Sequence, residues 1–299
     1  MHATRNGHLA LFPFGVTMTT QTTTNSGKAW APDVTYVAPE DAIPEALIIA
    51  AATKGGTVEG DAPSVRVTYV DDDEAQFTAE GAEIPESDPD LSEALVHTSK
   101  VTQLVRLSRE QYEQAGTAQQ IVASMSRAIT KKANAALLTQ VAPTSPAVAP
   151  VAGLLNVSGV VAGDQVTGSL DALIDLYAEL ESNGATPSHI VLDPLGWAAL
   201  MKLKKATGSN EGLLGAGTET AEARLLSLPI LKSAALTAYS GVLLDRTAII
   251  SAYGTIQVAT SADAYFTSDS VGVRATWRIG HVVPRANRLG TFTVDDGVA

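Results

Sequence analysis

Two stretches in the first third of the chain have the pattern of paired strands. Residues 65–70 are rich in β-branched side chains and predict a strand, and residues 94–107 predict a returning strand. Between them lies a long polar segment. The pattern therefore predicts a projecting hairpin with its tip at residues 71–93, and loops of that length in a compact domain commonly carry function.

The longest predicted helix covers residues 117–141. Thr117 and Gln120 match a capping box, in which the two side chains satisfy free backbone N–H groups at the helix start. The prolines at positions 143, 146 and 150 end the helix. One face of it is apolar, formed by Ile121, Val122, Met125, Ala128, Ile129, Ala136 and Leu137.

Elsewhere the pattern predicts mixed helices and strands, without an internal repeat. Residues 1–40 read as weakly structured, and residues 1–17 as either an upstream extension or a flexible arm. Helical spacing over residues 43–51 is expected to stop at Gly55 and Gly56. Further helices are predicted at 169–182, ending at Gly184, and at 194–204, with Pro194 at the start. Strands are predicted at 189–192, 242–245, 248–251, 256–259, 271–279 and 291–294.

Composition excludes several classes of function. The 299 residues include 32 acids and 20 bases, for a net charge of −12, which disfavours nucleic-acid binding through a broad basic face. Cysteine is absent, which excludes disulfides, thiolate metal sites and a cysteine nucleophile. The longest apolar run, residues 46–52, is too short to span a membrane.

Motifs for catalysis and for metal or cofactor binding are also missing. The five histidines are never three or four residues apart, and there is no Gly-x-Ser-x-Gly sequence. The acidic run at residues 71–74 continues with Ala75 and Gln76, where a calcium loop needs a ligand and a glycine. We therefore expect a protein that is not an enzyme and has no catalytic residue, cofactor or metal.

The negative charge is concentrated in the hairpin tip. Residues 71–93 hold ten acids and no Lys or Arg, which leaves 22 acids against 20 bases in the rest of the chain. Residues 271–290 are the opposite, with four arginines and no acid. Such segments attract each other between copies of one chain.

Six segments, in this order and spacing, resemble the major capsid protein of tailed bacteriophages of the Hong Kong 97 type. Residues 78–87 resemble its extended loop, and residues 100–108 with the following long helix resemble its strand and spine helix. Residues 153–156 resemble the motif that closes the spine-helix region. The others are residues 191–200, residues 226–230 with Ser227 in place of a glycine, and residues 273–280. The likeness covers about residues 35–295.

The resemblance implies an α+β fold of the Hong Kong 97 type with an N-terminal arm, an extended loop, a peripheral domain and an axial domain. The implied division is an arm at 1–40, a helix and connection at 41–64, the extended hairpin at 65–107, the peripheral domain at 108–152 with its spine helix, the axial domain at 153–270, and returning peripheral strands at 271–299.

The implied function is that of a structural, non-catalytic protein that forms pentamers and hexamers of an icosahedral shell around double-stranded DNA. It would assemble in the host bacterial cytoplasm and would not read DNA sequence. Portal, scaffolding and decoration proteins are the other partners that the resemblance allows. Scaffolding would come from a separate protein, because only about 40 residues precede the first predicted helix. The loop has no lysine, so we expect no covalent cross-link from it.

The expected contact residues lie in the two charged segments and on the spine helix. We expect the loop to lie on the peripheral domain of a neighbour. Its contact residues would be Phe77, Glu80, Glu83, Ile84, Glu86 and Leu91, and those of the neighbour would be Lys131, Lys132, Arg274, Arg278, Arg285 and Arg288. Two other interpretations stay open: an encapsulin-type bacterial compartment of the same fold, and a small-oligomer hydrolase with an unrecognised site.

Overall fold

The computed structural model describes residues 34–71, 77–78, 90–114, 116–206, 209–214 and 224–296. In chain order the elements are β1 (Val34–Val37), α1 (Pro39–Ala42), α2 (Leu47–Ala51), β2 (Thr53–Thr57), β3 (Ser64–Asp71), β4 (Asp90–Ser108), α3 (Arg109–Glu113), α4 (Thr117–Leu138), β5 (Val161–Val166), α5 (Asp171–Ser182), β6 (His189–Leu192), α6 (Pro194–Lys202), β7 (Arg224–Leu225), β8 (Leu228–Lys232), β9 (Ser240–Leu244), β10 (Ile250–Tyr253), β11 (Ile256–Tyr265), β12 (Ser270–Val282) and β13 (Leu289–Val294).

These strands form two sheets. The first has seven strands, with the order β1-β11-β12-β10-β2 and with β4 pairing to both β12 and β3. The second has six strands in the order β5-β13-β9-β6-β8-β7. The sheets divide the chain differently from the predicted boundary at residue 270. Strands β10 and β11 join β12 in the first sheet, whereas β13 pairs with β9 and β5 in the second.

The first sheet is covered on one face by α4. Met125, Ile129 and Leu137 of α4 are buried with Trp277 and Ala275 of β12 in one core. Helix α4 confirms the predicted long helix, although it ends at Leu138. The predicted capping box does not form. Thr117 is the first helical residue, and the cap is Gly116 in the left-handed conformation (φ 86°), without a side-chain cap hydrogen bond. A residue at positive φ is most easily glycine, so the backbone, rather than the Thr hydroxyl, sets this start.

The second sheet has a core of its own against α5 and α6. Leu173, Leu176 and Leu200 of the helices pack on Leu243 and Phe292 of the strands. All five residues of β9 are buried, because its other face contributes Val242 and Leu244 to the first core. Strands buried on both faces have continuous apolar runs rather than alternation. Strand β6 matches its predicted bounds, and α5 and α6 confirm the predicted helices within two residues at each end.

The prediction for residues 43–56 was wrong in two respects. The helical region is split into α1 and α2, with Pro44 between them. Gly55 and Gly56 do not stop a helix but lie inside β2. A Cβ at Gly55 would lie 2.5 Å from Ile250 Cγ2 and 2.9 Å from Val67 Cγ1. The glycines therefore allow β3 to cross closely over β2 and β10.

Candidate assembly interface

The predicted hairpin is built on one long strand. β4 has 19 residues, a length of about 60 Å. Its second part pairs with β12 from Thr98↔Gly280 to Ser108↔Ser270, inside the first sheet. Its first part pairs with β3, from Ser64↔His97 to Asp71↔Asp90. The hairpin and the sheet therefore share one continuous backbone, which fixes the direction of the paired strands relative to the sheet.

The inner face of the hairpin is held on the body by a small core. Ala94 and Val96 of β4 are buried with Ile250 and Ala252 of β10, and Val67 packs against them. The outer face is exposed and carries an ion pair between Arg66 Nη1 and Glu93 Oε2 at 3.4 Å beside the exposed Leu95. Such one-sided burial is typical of a strand pair with one solvated face.

A polar cluster fixes the root of the hairpin, where β4 leaves the sheet. Asp61 accepts hydrogen bonds from Lys100 Nζ at 2.8 Å and from Arg278 Nε at 3.2 Å. Arg278 Nη1 also donates to Ala62 O at 3.0 Å and to Thr98 Oγ1 at 2.9 Å. The hydrogen bond from Lys100 and the charge of Arg278 lower the pKa of the Asp61 carboxyl below its usual value. Arg278, predicted to contact a neighbour, thus holds the hairpin of its own chain.

The predicted loop residues are placed as far as the described part of the chain allows. The ring of Phe77 is fully exposed at 109% of its reference area. Leu91 lies in β4, with its backbone opposite Val70. Glu80, Glu83, Ile84 and Glu86 lie outside the described residues.

The predicted basic partners fall on different sides of the molecule. Arg274 is exposed on β12 directly opposite Leu104, so both point away from α4. Lys131 and Lys132 are exposed on α4, on the other side of the sheet. Of the predicted cations, the structure brings Arg274 and Arg278 onto one sheet face and separates the other four from them.

Arg285 and Arg288 lie in the connection from β12 to β13, beside the second sheet. Both side chains are partly buried. In this connection Asn183 Nδ2 donates to Asn287 O at 3.1 Å, which ties the segment to the end of α5. These two arginines are therefore near the second sheet rather than on the face that carries Arg274.

Three residues of the exposed sheet face were not predicted from the sequence. Lys100, Leu104 and Arg106 of β4 point to the same side as Arg274 and Arg278, because directly opposite residues of antiparallel strands share a face. Leu104 is 59% exposed among these cations. We call Lys100, Leu104, Arg106, Arg274 and Arg278 the basic sheet face. The alternation of residues along β4 could have indicated two different faces of this strand. The sequence does not show which of the two faces points to solvent.

The described residues contain no group of three or more His, Asp or Glu side chains that could hold a metal ion. His281 is buried, and its Nε2 lies 3.0 Å from Ala152 O, which accounts for it structurally. Within the same ranges, no helix has the length and apolar content needed to cross a bilayer.

Comparison with known proteins defines first the fold and then the family. A solved structure from Gordonia phage Cozz matches with a TM-score of 0.64 and 14% identity, covering 95% of this chain and 98% of that one. The capsid of an empty GTA particle gives a TM-score of 0.62 at 15% identity and covers 91% and 98%. Microbacterium phage Oxtober96 gives 0.62 at 12% and covers 92% and 99%. The fold is thus the Hong Kong 97 type.

The sequence itself matches the phage capsid family over residues 43–293. The chain belongs to this family, and it is a structural capsid protein and a virion component. No curated protein matches the sequence.

Proposed function

We propose that this protein assembles into the pentamers and hexamers of an icosahedral shell that encloses double-stranded phage DNA. The observation that carries the proposal is the hairpin of β3 and β4, whose connecting sequence is strongly acidic, together with membership in the phage capsid family. The shell protein is non-catalytic, needs no cofactor and does not read the DNA sequence. Its assembly takes place in the cytoplasm of the bacterial host, with portal, separate scaffolding or decoration proteins as further partners.

In this proposal the first sheet with α4 is the peripheral domain, and the second sheet with α5 and α6 is the axial domain. The hairpin is the extended loop, and residues before β1 belong to the N-terminal arm. Axial domains meet at the centres of pentamers and hexamers, and the hairpin reaches sideways to a neighbour. This assignment follows the two sheets and therefore places β10 and β11 in the peripheral domain and β13 in the axial domain.

The loop lies on the peripheral domain of the neighbour. Phe77, Ile84 and Leu91 supply apolar contacts, and Glu80, Glu83 and Glu86 supply charge. Among the predicted basic partners, Arg274 on the basic sheet face and Lys131 and Lys132 on α4 are exposed. Exposed ion pairs are worth only about 0–1 kcal/mol each, so the charges mainly set register and the rate of assembly. Repetition of one interface then stabilises the shell.

The test is electron microscopy and sedimentation of the purified, full-length protein. Pentamers, hexamers or closed particles are expected, and particles from infected cells should contain nuclease-protected DNA. Particles that contain a cargo enzyme instead of DNA would favour an encapsulin-type compartment. A small oligomer at all concentrations would refute the shell.

A further inference from the structure

One edge of the first sheet has no partner strand within the described ranges. Residues 99–108 of β4 pair with β12 on one side, while β3 pairs only with residues up to His97. In an antiparallel ladder every second residue directs its N–H and C=O away from the partner. These groups form a template for an added strand, and several peptide-binding proteins use such an edge.

A cavity of about 490 Å³ borders this edge, between β4, α4 and residues 150–151. Its lining combines apolar residues, among them Val101, Ala128 and Ile129, with Lys100 and Lys132, and includes no acidic residue among those that the structure describes. Gln103 also lines the cavity, and its buried Oε1 has no hydrogen-bond partner in the described part of the chain. A buried acceptor without a partner costs free energy. The cavity therefore suits an apolar side chain carried by a backbone that can donate a hydrogen bond.

The acidic loop contains a segment with this character. In residues 74–80, Ala75, Phe77 and Ala79 alternate with Glu74, Gln76, Thr78 and Glu80. Alternation with period two gives an extended strand one apolar face, here centred on Phe77, and one polar face. The segment has no proline, so each residue can take part in a ladder.

The spacing of this segment matches the spacing along the edge. If Phe77 lies opposite Gln103, both point toward the cavity. Glu74 and Glu80 then lie opposite Lys100 and Arg106, whichever way the segment runs, because both pairs are separated by six residues. Lys100 and Arg106 point to the opposite side of β4 from Gln103, as Glu74 and Glu80 do from Phe77. Lys100 pairs with Asp61, and the Arg106 guanidinium lies 4.7 Å from the centre of the Tyr265 ring. Both side chains nevertheless remain exposed.

A loop cannot reach the edge of its own chain. The paired hairpin holds Asp71 opposite Asp90, and Val101 lies about 36 Å farther along β4. Phe77 is six residues beyond Asp71 and can turn back by only about 20 Å. The occupant must therefore come from another copy.

We propose that residues 74–80 of one subunit add as a strand to the edge of β4 in a neighbouring subunit, with Phe77 in the cavity beside Gln103. The proposal rests on the proposed function, since it requires that copies of the chain assemble. It goes further by naming the docking edge, the apolar side chain and the register.

Disulfide trapping tests the register cleanly because the chain has no cysteine. The variant Phe77→Cys/Gln103→Cys is assembled, oxidised and run on a non-reducing denaturing gel. Phe77→Cys/Leu104→Cys is the matched control, because Leu104 is the next residue and faces the other side. Cβ atoms of directly opposite residues come close enough for a disulfide. We expect a ladder of linked subunits for the Gln103 variant, which reductant removes, and no ladder for the Leu104 variant.

The outcomes separate this proposal from the proposed function. Particles that give no ladder, or a ladder at Leu104 instead, would overturn the docking edge while the shell stands. If the wild-type protein forms no particles, the proposed function itself is refuted. An intrachain disulfide, which gives no ladder but changes the mobility of the single chain, would also overturn the proposal.

A charge exchange provides a second readout that does not depend on cysteine chemistry. Glu74→Lys and Glu80→Lys are each expected to raise the concentration needed for assembly, by about threefold to tenfold for one opposed pair. Arg106→Glu should restore one of these two variants and not the other, and the restored one gives the direction of the added strand. Restoration of neither would contradict the register.

Discussion

The second sheet and the hairpin of β3 and β4 are built from strands with opposite burial. β9 in the second sheet is buried at all five positions, and Leu243 has no exposed surface. The hairpin buries Ala94 and Val96 on one side and exposes Leu95 at 43% on the other. A strand enclosed on both faces can only stabilise its own subunit. A strand with a free face and a free end remains available to another copy. Changes in the two regions should therefore affect different properties.

The largest loss of subunit stability is expected in the second sheet. Leu243→Ala removes a fully buried side chain from the core with α5 and α6, and should lower the free energy of unfolding by about 4 kcal/mol. Leu104→Ala, at an exposed position of β4, should change it by less than about 0.5 kcal/mol. Urea unfolding of the unassembled subunit measures both. An equal decrease in the free energy of unfolding of the two variants would contradict the proposed difference between the two regions.

The pH dependence of subunit stability is expected to depend on a buried histidine of the body. Complete burial lowers the pKa of His281 from 6.5 to about 4. The unfolded chain then binds a proton that the folded chain does not between these values, so stability should fall by about 3 kcal/mol as the pH drops from 6.5 to 4. His281→Gln can keep the hydrogen bond to Ala152 O but does not titrate. Its unfolding should take up one proton fewer in this range, and an unchanged slope would refute the burial argument.

The hairpin root should have an intermediate effect. Arg278→Ala removes the hydrogen bonds to Asp61, Ala62 and Thr98 and should cost about 2 kcal/mol of subunit stability. Hydrogen exchange should rise in residues 90–97 more than in β9. Arg274→Ala is the matched control on the same strand, because it is exposed. Faster exchange in β9 than in the hairpin would show that Arg278 supports the body instead.

Salt should have the smallest effect per contact, because each exposed ion pair contributes only about 0–1 kcal/mol. Raising the ionic strength from 0.1 to 1 M shortens the screening length from about 10 to about 3 Å. We expect slower assembly, followed by light scattering, with no loss of subunit stability. Assembly that is insensitive to salt would indicate that apolar contacts alone carry the interface.

Local pattern predicted the long helix, the hairpin strands and α5, α6 and β6, because each carries its own periodicity, but it did not predict β1, β2, α3, β5, β7 or β8. The strands at the hairpin, β6 and helix α4 all follow from apolar spacing within their own residues. The failures involve distant partners. Gly55 and Gly56 read as a helix stop because nothing local shows that Val67 crosses over them. The pairing of β13 with β9 is another contact that proximity in the sequence does not reveal.

The sequence predicted which segments of the candidate interface are charged, but not which side chains share a surface. The acidic loop and the arginines of β12 are visible as charge runs. The engagement of Arg278 with Asp61 is not, since the two are more than 200 residues apart. Lys100, Leu104 and Arg106 alternate with residues facing α4, and which side of β4 is free depends on the helix that covers the other.

We infer that the loop serves assembly and not the stability of its own subunit. The most direct measurement compares Glu80→Lys/Glu83→Lys/Glu86→Lys with the charge-conserving variant in which the same residues are changed to Asp. Both should have the unfolding midpoint of the wild type. The Lys variant should stay unassembled in sedimentation and microscopy, while the Asp variant forms particles. Normal particles from the Lys variant, or an equal loss of subunit stability in both, would contradict the account.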